Sequence, residues 1–520
     1  MDKIISRKNI YRNEIDGLRA VAVLSVIINH FNKDILPSGY LGVDIFFVIS
    51  GYVITASLVR RENKNFKEYI TSFYERRIKR IIPLLTIFVV TTSILICIFN
   101  AFPIFSLRTG FASLFGVSNI LLFKISEGYF TPSSNLDPFT HTWSLSVEEQ
   151  FYFLYPLLAW FTGYTRNKKN GNILLLITLS ILSIFSLILF IYYYPRNQNA
   201  AYFLMPNRFW EMSIGCLTFI GVSNKMKFFE YARKLNSNYI FLLLVICFFL
   251  PLNIAVFATI TIVLLSSLII ICIESEDFIF GFLTTKLILN IGKLSYSLYL
   301  WHWCIISISE WTIGIYWWTI PFQAIAIFII SLLSFKYIEK PFRNYDFKNK
   351  LQAFLVGLLL VLFGQGTIFY LGTTGRRILF AGNISGIYNR KLISRKIFLN
   401  QCNLSTNNFE KVSMNKNCSS IIKSFKKRIF IVGDSHANMF FNSFKTIARN
   451  NYDLSNFTGN GCSFPIVKSN EFNKTKICIS EMNKVEKWIK ENNKNGDIIF
   501  IGNKRFNSEL VNFYSKKGVN

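Results

Sequence analysis

Long apolar stretches with few charges recur over roughly the first 370 residues of the chain. Those at 82–101, 173–194 and 351–372 each reach the roughly 20 residues that cross a hydrocarbon core of about 30 Å. The stretch 238–273 is about twice as long, with Pro251-Leu-Asn253 at its middle, and predicts two helices joined by a tight turn. Mixed apolar runs at 15–31, 41–59, 147–163, 206–222, 289–309 and 318–335 complete the set. The pattern predicts a polytopic α-helical membrane protein of about ten helices plus one linking helix. The segment 109–123 is apolar but short, and is expected to be re-entrant or interfacial. After about residue 373 the composition turns to Asn, Lys and Ser with shorter apolar runs, which predicts a separate soluble domain.

Charge fixes an orientation rather than a polyanionic partner. Of 520 residues 52% are hydrophobic and 17% aromatic, yet the net charge is +28. Most of the basic residues of the membrane region fall in alternate connecting segments, as in "RRENKNFK" (60–67) and "RNKK" (166–169), whereas the other segments carry only Lys33, Arg108, Lys124 and Arg196. That asymmetry is the positive-inside signature, so membrane lipids and not nucleic acid account for the basic balance. It places the N-terminus in the cytoplasm and, after eleven spans, the C-terminal domain outside. Counting 109–123 as a span would put the basic 166–169 segment on the outer side. The N-terminus has no small-residue cleavage site and is expected to be a retained anchor. The outer domain holds Cys402, Cys418, Cys462 and Cys478. Four cysteines in an oxidising compartment allow three pairings, of which the local ones, Cys402–Cys418 and Cys462–Cys478, are favoured. The five cysteines in apolar runs read as packing residues. No internal repeat is visible.

Ionisable groups inside a membrane usually face a cavity, a partner or a pathway. The four histidines are His30, His141, His302 and His436. Arg19 and His30 are eleven residues apart, so they share one helix face roughly 16 Å apart along the axis. Asp44 begins the second span, "HTWSLSVEEQFYFLYP" (141–156) puts His141, Glu148 and Glu149 at the mouth of the fourth, and His302 lies toward the outer end of the ninth. In this topology they gather near one depth. Each also has a plainer reading. Glu149 can close an S-x-x-E capping box with Ser146; His141 can be an ordinary loop residue; His30 can be a hydrogen-bond partner for Asp44; His302, between Trp301 and Trp303, can be belt packing. On the inner side, Arg76, Arg77, Lys79 and Arg80 either anchor the third span or clamp phosphate, which guanidinium groups match bidentately.

Five stretches, "YRNEIDGLRAVAVLSVIINH", "GYLGVDIFFVISGYVIT", "FYERRIKRIIP", "HTWSLSVEEQFYFLYP" and "IGKLSYSLYLWHW…FKYIEKPFR", together resemble the acyltransferase-3 membrane family over roughly residues 10–345. The resemblance implies a membrane O-acyltransferase that takes an acyl group, commonly acetyl, from cytoplasmic acyl-CoA and delivers it to cell-surface glycans or lipids. The acceptor would be lipopolysaccharide O-antigen, peptidoglycan or a similar polysaccharide, in a bacterial cytoplasmic (inner) membrane, with acyl-CoA as donor substrate and no bound cofactor or metal. Arg19 and His30 match the family's arginine-x10-histidine pattern, and Arg77 and Arg80 its R-x-x-R pattern. His30 and Glu148 are then the catalytic candidates, with Arg19, Asp44, Arg77, Arg80 and His302 binding donor or substrate. In that scheme the CoA phosphates dock on Arg77 and Arg80, and Asp44 or Glu148 orients His30.

Members of this build often carry a fused SGNH domain, and "KRIFIVGDSHANMFF" fits one as a strand, a Gly-Asp-Ser-His turn and a helix. Ser435 would be its nucleophile, at a helix N-terminus where backbone N–H groups stabilise an oxyanion. "GNGCSFP" (459–465) and "DIIFIGNK" (497–504) resemble the next two blocks, making Gly461 and Asn503 the oxyanion-hole partners. The implied organisation is a membrane domain at 10–345, a linking transmembrane helix at 346–375 and a partial, flavodoxin-like three-layer α/β SGNH domain at 376–520. The chain departs from the pattern in having no histidine after His436 to serve as the base of an Asp-x-x-His, so a truncated outer domain is expected. A secondary transporter and a non-catalytic partner in glycan assembly are the rival classes.

Overall fold

A computed structural model describes residues 12–59, 65–100, 102–126, 137–166 and 170–381, and in the C-terminal part 404, 407–414, 418, 427–434, 437, 440–441, 444, 452–459, 476–492 and 497–502. The chain divides into two compact units, Met1–Gly382 and Asn383–Asn520.

The first unit is helical. Among the described residues six helical stretches are long and apolar enough to cross a membrane: Gly39–Val59, Phe66–Phe99, Gly171–Tyr193, Leu252–Cys272, Ile320–Asn344 and Lys350–Gly375. Asn13–Phe31, Thr142–Phe161, Met205–Ser223 and Lys286–Thr312 are also of spanning length, 19 to 27 residues, but carry ionisable side chains along their apolar faces. Apolar stretches of Gly171–Tyr193, Ile320–Asn344 and Lys350–Gly375 are only 28%, 22% and 22% buried, so these helices form the lipid-facing periphery around the charged ones.

Three segments differ from expectation. The helix predicted at 82–101 begins at Phe66 and runs 34 residues through Pro83, so Arg76 to Arg80 sit inside a continuous helix rather than in a connecting segment. Ser237–Cys247 is only 11 residues long, too short to span by itself. Pro251 explains the early stop: it has no N–H to give to the carbonyl of Cys247, and it disfavours helical dihedrals at Leu250. The 109–123 segment is two short helices, Ile104–Leu114 and Ser118–Ser126, separated by Gly116 at φ +65. Hydrogen bonds pin this pair against the Glu148 helix, Ser113 to Thr142 at 2.7 Å and Ser118 to Ser146 at 2.8 Å. Ser146 therefore caps nothing: the helix starts at Thr142, and the capping box with Glu149 does not form.

Small residues set the central crossings, as is usual where lipid offers no hydrophobic drive between helices. A Cβ on Gly51 would collide with the carbonyl of Met212, and one on Gly215 with that of Val48, so the helices of Asp44 and Arg208 touch backbone to backbone.

The second unit holds a parallel three-stranded sheet in the order β2-β1-β3, with β1 Lys427–Gly433, β2 Tyr452–Thr458 and β3 Ile498–Gly502. Ile429 and Ile431 pack into one apolar cluster and Phe430 and Val432 into another that includes Met482, Val485 and Ile489 of the helix Lys476–Asn492. Both faces of β1 are therefore covered, which is why "IFIV" shows no polar alternation. Arg428 anchors the start of β1 on Asp497, its guanidinium at 2.8 and 3.1 Å.

Candidate functional site

Three of the four histidines meet within the first unit. His30 Nδ1 lies 3.1 Å from His302 Nε2, with the two rings stacked at 5.2 Å between centroids. The ring of His141 stands edge-on to that of His302 at 5.5 Å. His141 is buried, and neither of its nitrogens has a hydrogen bond among the described residues. His302 Nδ1 faces the carbonyl of Leu298 at 3.1 Å. A carbonyl only accepts, so Nδ1 of His302 carries the proton and, in the neutral ring, Nε2 accepts. The bond from His30 must then run from its Nδ1–H, which leaves Nε2 of His30 with a free lone pair.

Tyr299 connects these rings to a polar cavity. Its ring lies 5.5 Å from that of His302; its hydroxyl donates to the carbonyl of His141 at 2.9 Å and sits 2.6 Å from Ser144 Oγ. The cavity, of ≈ 80 Å³, is lined by Arg19, Arg77, Arg80 and Glu148, with Ser50, Tyr152 and Tyr296 among its other polar walls. Glu148 accepts hydrogen bonds from Ser50 and Tyr152, both at 3.0 Å. The Arg77 guanidinium stacks over Tyr152 at 4.9 Å, and Arg19 is ion-paired with Asp16 at 2.7 Å. Charged side chains at this depth are tolerated because they share one polar space.

Asp44 is placed elsewhere, which corrects its expected role. Its carboxylate is bound by Arg208 at 2.8 Å, and Arg208 also reaches Glu211 at 2.7 Å; His30 is not its partner. The guanidinium lies 5.3 to 5.7 Å from the rings of Trp143, Phe190 and Tyr202. One cation between two acids in an aromatic cage is a buried structural cluster. Sequence reading passed over Arg208 and Glu211, although two ionisable residues three apart within a predicted span are themselves a signal. His141 is expected both among the groups that gather near one depth and, in the plainer reading, as an ordinary loop residue, and the fold favours the first; Tyr299 carries no signal in the sequence, and only the fold brings it to the imidazole pair.

Ser435, Gly461 and Asn503, with His436, Cys402 and Cys462 and the side chain of Cys478, lie outside the described residues. The strands that lead to them are described. Gly433 pairs in register with Thr458 and with Gly502, so β1, β2 and β3 end side by side at their carboxyl ends, one to three residues before Ser435, Gly461 and Asn503. Open parallel sheets bind their ligands at such ends. Gly433 has φ +132, a region closed to side chains, where the chain turns into Asp434. Cys418 is disulfide-bonded.

Comparison with known proteins agrees with this layout. Residues 12–336 match a family described as an acyltransferase domain, and residues 401–515 match the SGNH domain that is fused to such domains. The O-acetyltransferase OatA of Staphylococcus aureus is 33% identical over 362 residues, 65% of this chain. The peptidoglycan O-acetyltransferase OatA of Listeria monocytogenes is 32% identical over 372 residues, 67% of this chain. The chain spans 58% of the length of each of these relatives. No solved structure matches. The chain therefore belongs to the acyltransferase-3 membrane family, in the branch that carries a fused SGNH domain.

Proposed function

We propose that the protein is a membrane O-acetyltransferase that draws acetyl groups from cytoplasmic acetyl-CoA and delivers them to hydroxyls of a cell-wall glycan. The name of the Listeria relative favours peptidoglycan over lipopolysaccharide as the acceptor. In this reading the N-terminus is cytoplasmic, the SGNH unit is extracytoplasmic, and the thioester enters through the cavity of Arg19, Arg77 and Arg80. Nε2 of His30 attacks the acetyl carbonyl, the C–S bond breaks, and CoA leaves as thiolate. The Nδ1 proton of His30 moves to Nε2 of His302, so that no net charge builds on the acetylated ring. The acetyl group then passes to Ser435 and on to the sugar hydroxyl. Glu148 balances the guanidinium groups of the cavity, while Tyr299 forms its wall on the side of the imidazoles, held there by the carbonyl of His141.

The observation that carries this reading is the His30–His302 pair, which leaves one imidazole nitrogen unprotonated, with Tyr299 standing between His302 and a cavity rich in arginine. Inverted membrane vesicles given radiolabelled acetyl-CoA test it. Wild-type vesicles should label glycan, and His30→Gln at equal protein level should lose about 10²–10⁴ of that rate. Full labelling by the variant excludes His30 from the relay.

A further inference from the structure

A second, larger cavity of ≈ 720 Å³ meets the first at Arg19, the one residue of its lining that also carries charge into the smaller space. It opens among the start of the His30 helix and the final turns of Gly42–Val59, Met205–Ser223 and Ala255–Cys272. The sizes differ in a way that matters for a CoA thioester. Sites for drug- or cofactor-sized molecules run to roughly 300–1,000 Å³. The space around Arg77 and Arg80, at ≈ 80 Å³, fits a slender chain but not a phosphorylated nucleotide. The larger cavity fits one.

Its lining has the matching chemistry. Four cations, Arg12, Arg19, Lys225 and Arg233, stand against three carboxylates, Glu14, Asp16 and Glu230. Two of the cations are already held: Arg12 by Glu14, Tyr52 and the carbonyl of Ile270, and Arg19 by Asp16. Arg233 reaches Glu274 at 2.9 Å, but both side chains are more than half exposed, and such a pair is weak and readily exchanged for a phosphate. Lys225 has no ion pair among the described residues. It also has φ +50, the left-handed region that side chains seldom enter, directly after Asn224, a residue type better suited to it. That conformation is the left-handed cap that ends its helix, with Met226 N–H donating back to the carbonyl of Gly221 at 3.1 Å, and it turns Lys225 to the cavity wall. Phe219, Phe229 and Tyr52 supply flat faces on which a purine can stack.

We propose that the adenosine 3′-phosphate 5′-diphosphate of the donor binds in this larger cavity, on Lys225 and Arg233, and that only the pantetheine arm passes Arg19 toward His30. The proposal rests on the reading of acyl-CoA as donor and replaces Arg77 and Arg80 as the phosphate site. Those two arginines then face the thioester end of the arm.

An anionic lipid headgroup offers the same phosphate chemistry, so the test uses full-length protein in nanodiscs of zwitterionic lipid, repeated with anionic lipid. Binding of radiolabelled CoA is measured first, since it needs no acceptor. Transfer from acetyl-CoA is then compared with transfer from S-acetyl-pantetheine, which lacks the nucleotide. In Lys225→Glu/Arg233→Glu, CoA affinity should fall and the KM for acetyl-CoA rise by about tenfold or more, with kcat nearly retained. The KM for S-acetyl-pantetheine should stay put. If the charge reversal fails to fold, Lys225→Gly/Arg233→Gln removes both cations while accepting the backbone at position 225. An unchanged KM for acetyl-CoA, an equal rise for both donors, or an effect seen only with anionic lipid overturns the proposal and leaves the donor assignment standing. Wild-type protein that neither binds CoA nor uses acetyl-CoA overturns both.

Discussion

At the residue scale the proposed chemistry turns on where one proton sits. The carbonyl of Leu298 fixes the tautomer of His302, and His302 fixes that of His30, so a backbone oxygen two groups away determines which nitrogen is free to react. In the proposed relay His302 both orients His30 and takes its proton, and its replacements separate these roles from packing. Glutamine can set an amide oxygen where Nε2 of the imidazole stood and still accept from His30, whereas phenylalanine fills the volume and accepts nothing. Transfer by His302→Phe should drop about 10–100-fold, and His302→Gln, which restores the hydrogen bond but cannot take the proton, should recover only part of it. The pH–rate profile of the phenylalanine variant should also move, because His30 loses its fixed tautomer. A variant damaged only in packing would be slower at every pH with the profile unmoved, and that result would remove His302 from the mechanism.

At the scale of elements, four of the helices that bring ionisable groups into the protein interior are not among its apolar spans. Asn13–Phe31, Thr142–Phe161, Met205–Ser223 and Lys286–Thr312 fall short of the apolar spans because they carry the groups that line the site or its buried ion cluster. They survive in a membrane by packing against one another. Gly51 and Gly215 show how closely: each lies against a carbonyl of the facing helix. Gly215→Leu should cost more than the about 1–3 kcal/mol of ordinary overpacking, because backbone rather than side chain must move. Thermal unfolding in detergent, followed by loss of monodisperse protein, should fall well below wild type; an unchanged midpoint would mean that this crossing does not hold the unit together. The same contrast explains what could be read in advance. Apolar period and basic asymmetry located the spans at 41–59, 173–194 and 351–372 to within a few residues, since burial in lipid is a property of each segment alone. The partner of Asp44 could not be found that way, because Arg208 lies 164 positions along the chain and reaches it only after two helices have docked. The contact of Tyr299 with His141 was hidden for the same reason, the two being 158 positions apart.

At the scale of the whole molecule, the relay needs the two membrane faces to be distinct. The larger cavity gathers the first turns of Asn13–Phe31 with the last turns of Gly42–Val59, Met205–Ser223 and Ala255–Cys272. The histidine cluster uses His30 near the other end of its helix, together with the residue that precedes Thr142–Phe161. A donor site and a delivery site at opposite ends of one helix make sense only if those ends face different compartments, and under the proposed function the basic asymmetry would put the donor end inside. Lys225 would be cytoplasmic and Asn197, in the turn before Gln198–Phe203, would be outside. Cysteines introduced singly at these two positions, read against the unsubstituted chain as background, should label oppositely with a membrane-impermeant maleimide: Asn197→Cys in intact spheroplasts, Lys225→Cys only after inversion or permeabilisation. The five cysteines of the helical unit are buried, so background from them should be low. Labelling of both positions from one side would place donor and acceptor ends in the same compartment, and an acetyl group would then have no membrane to cross.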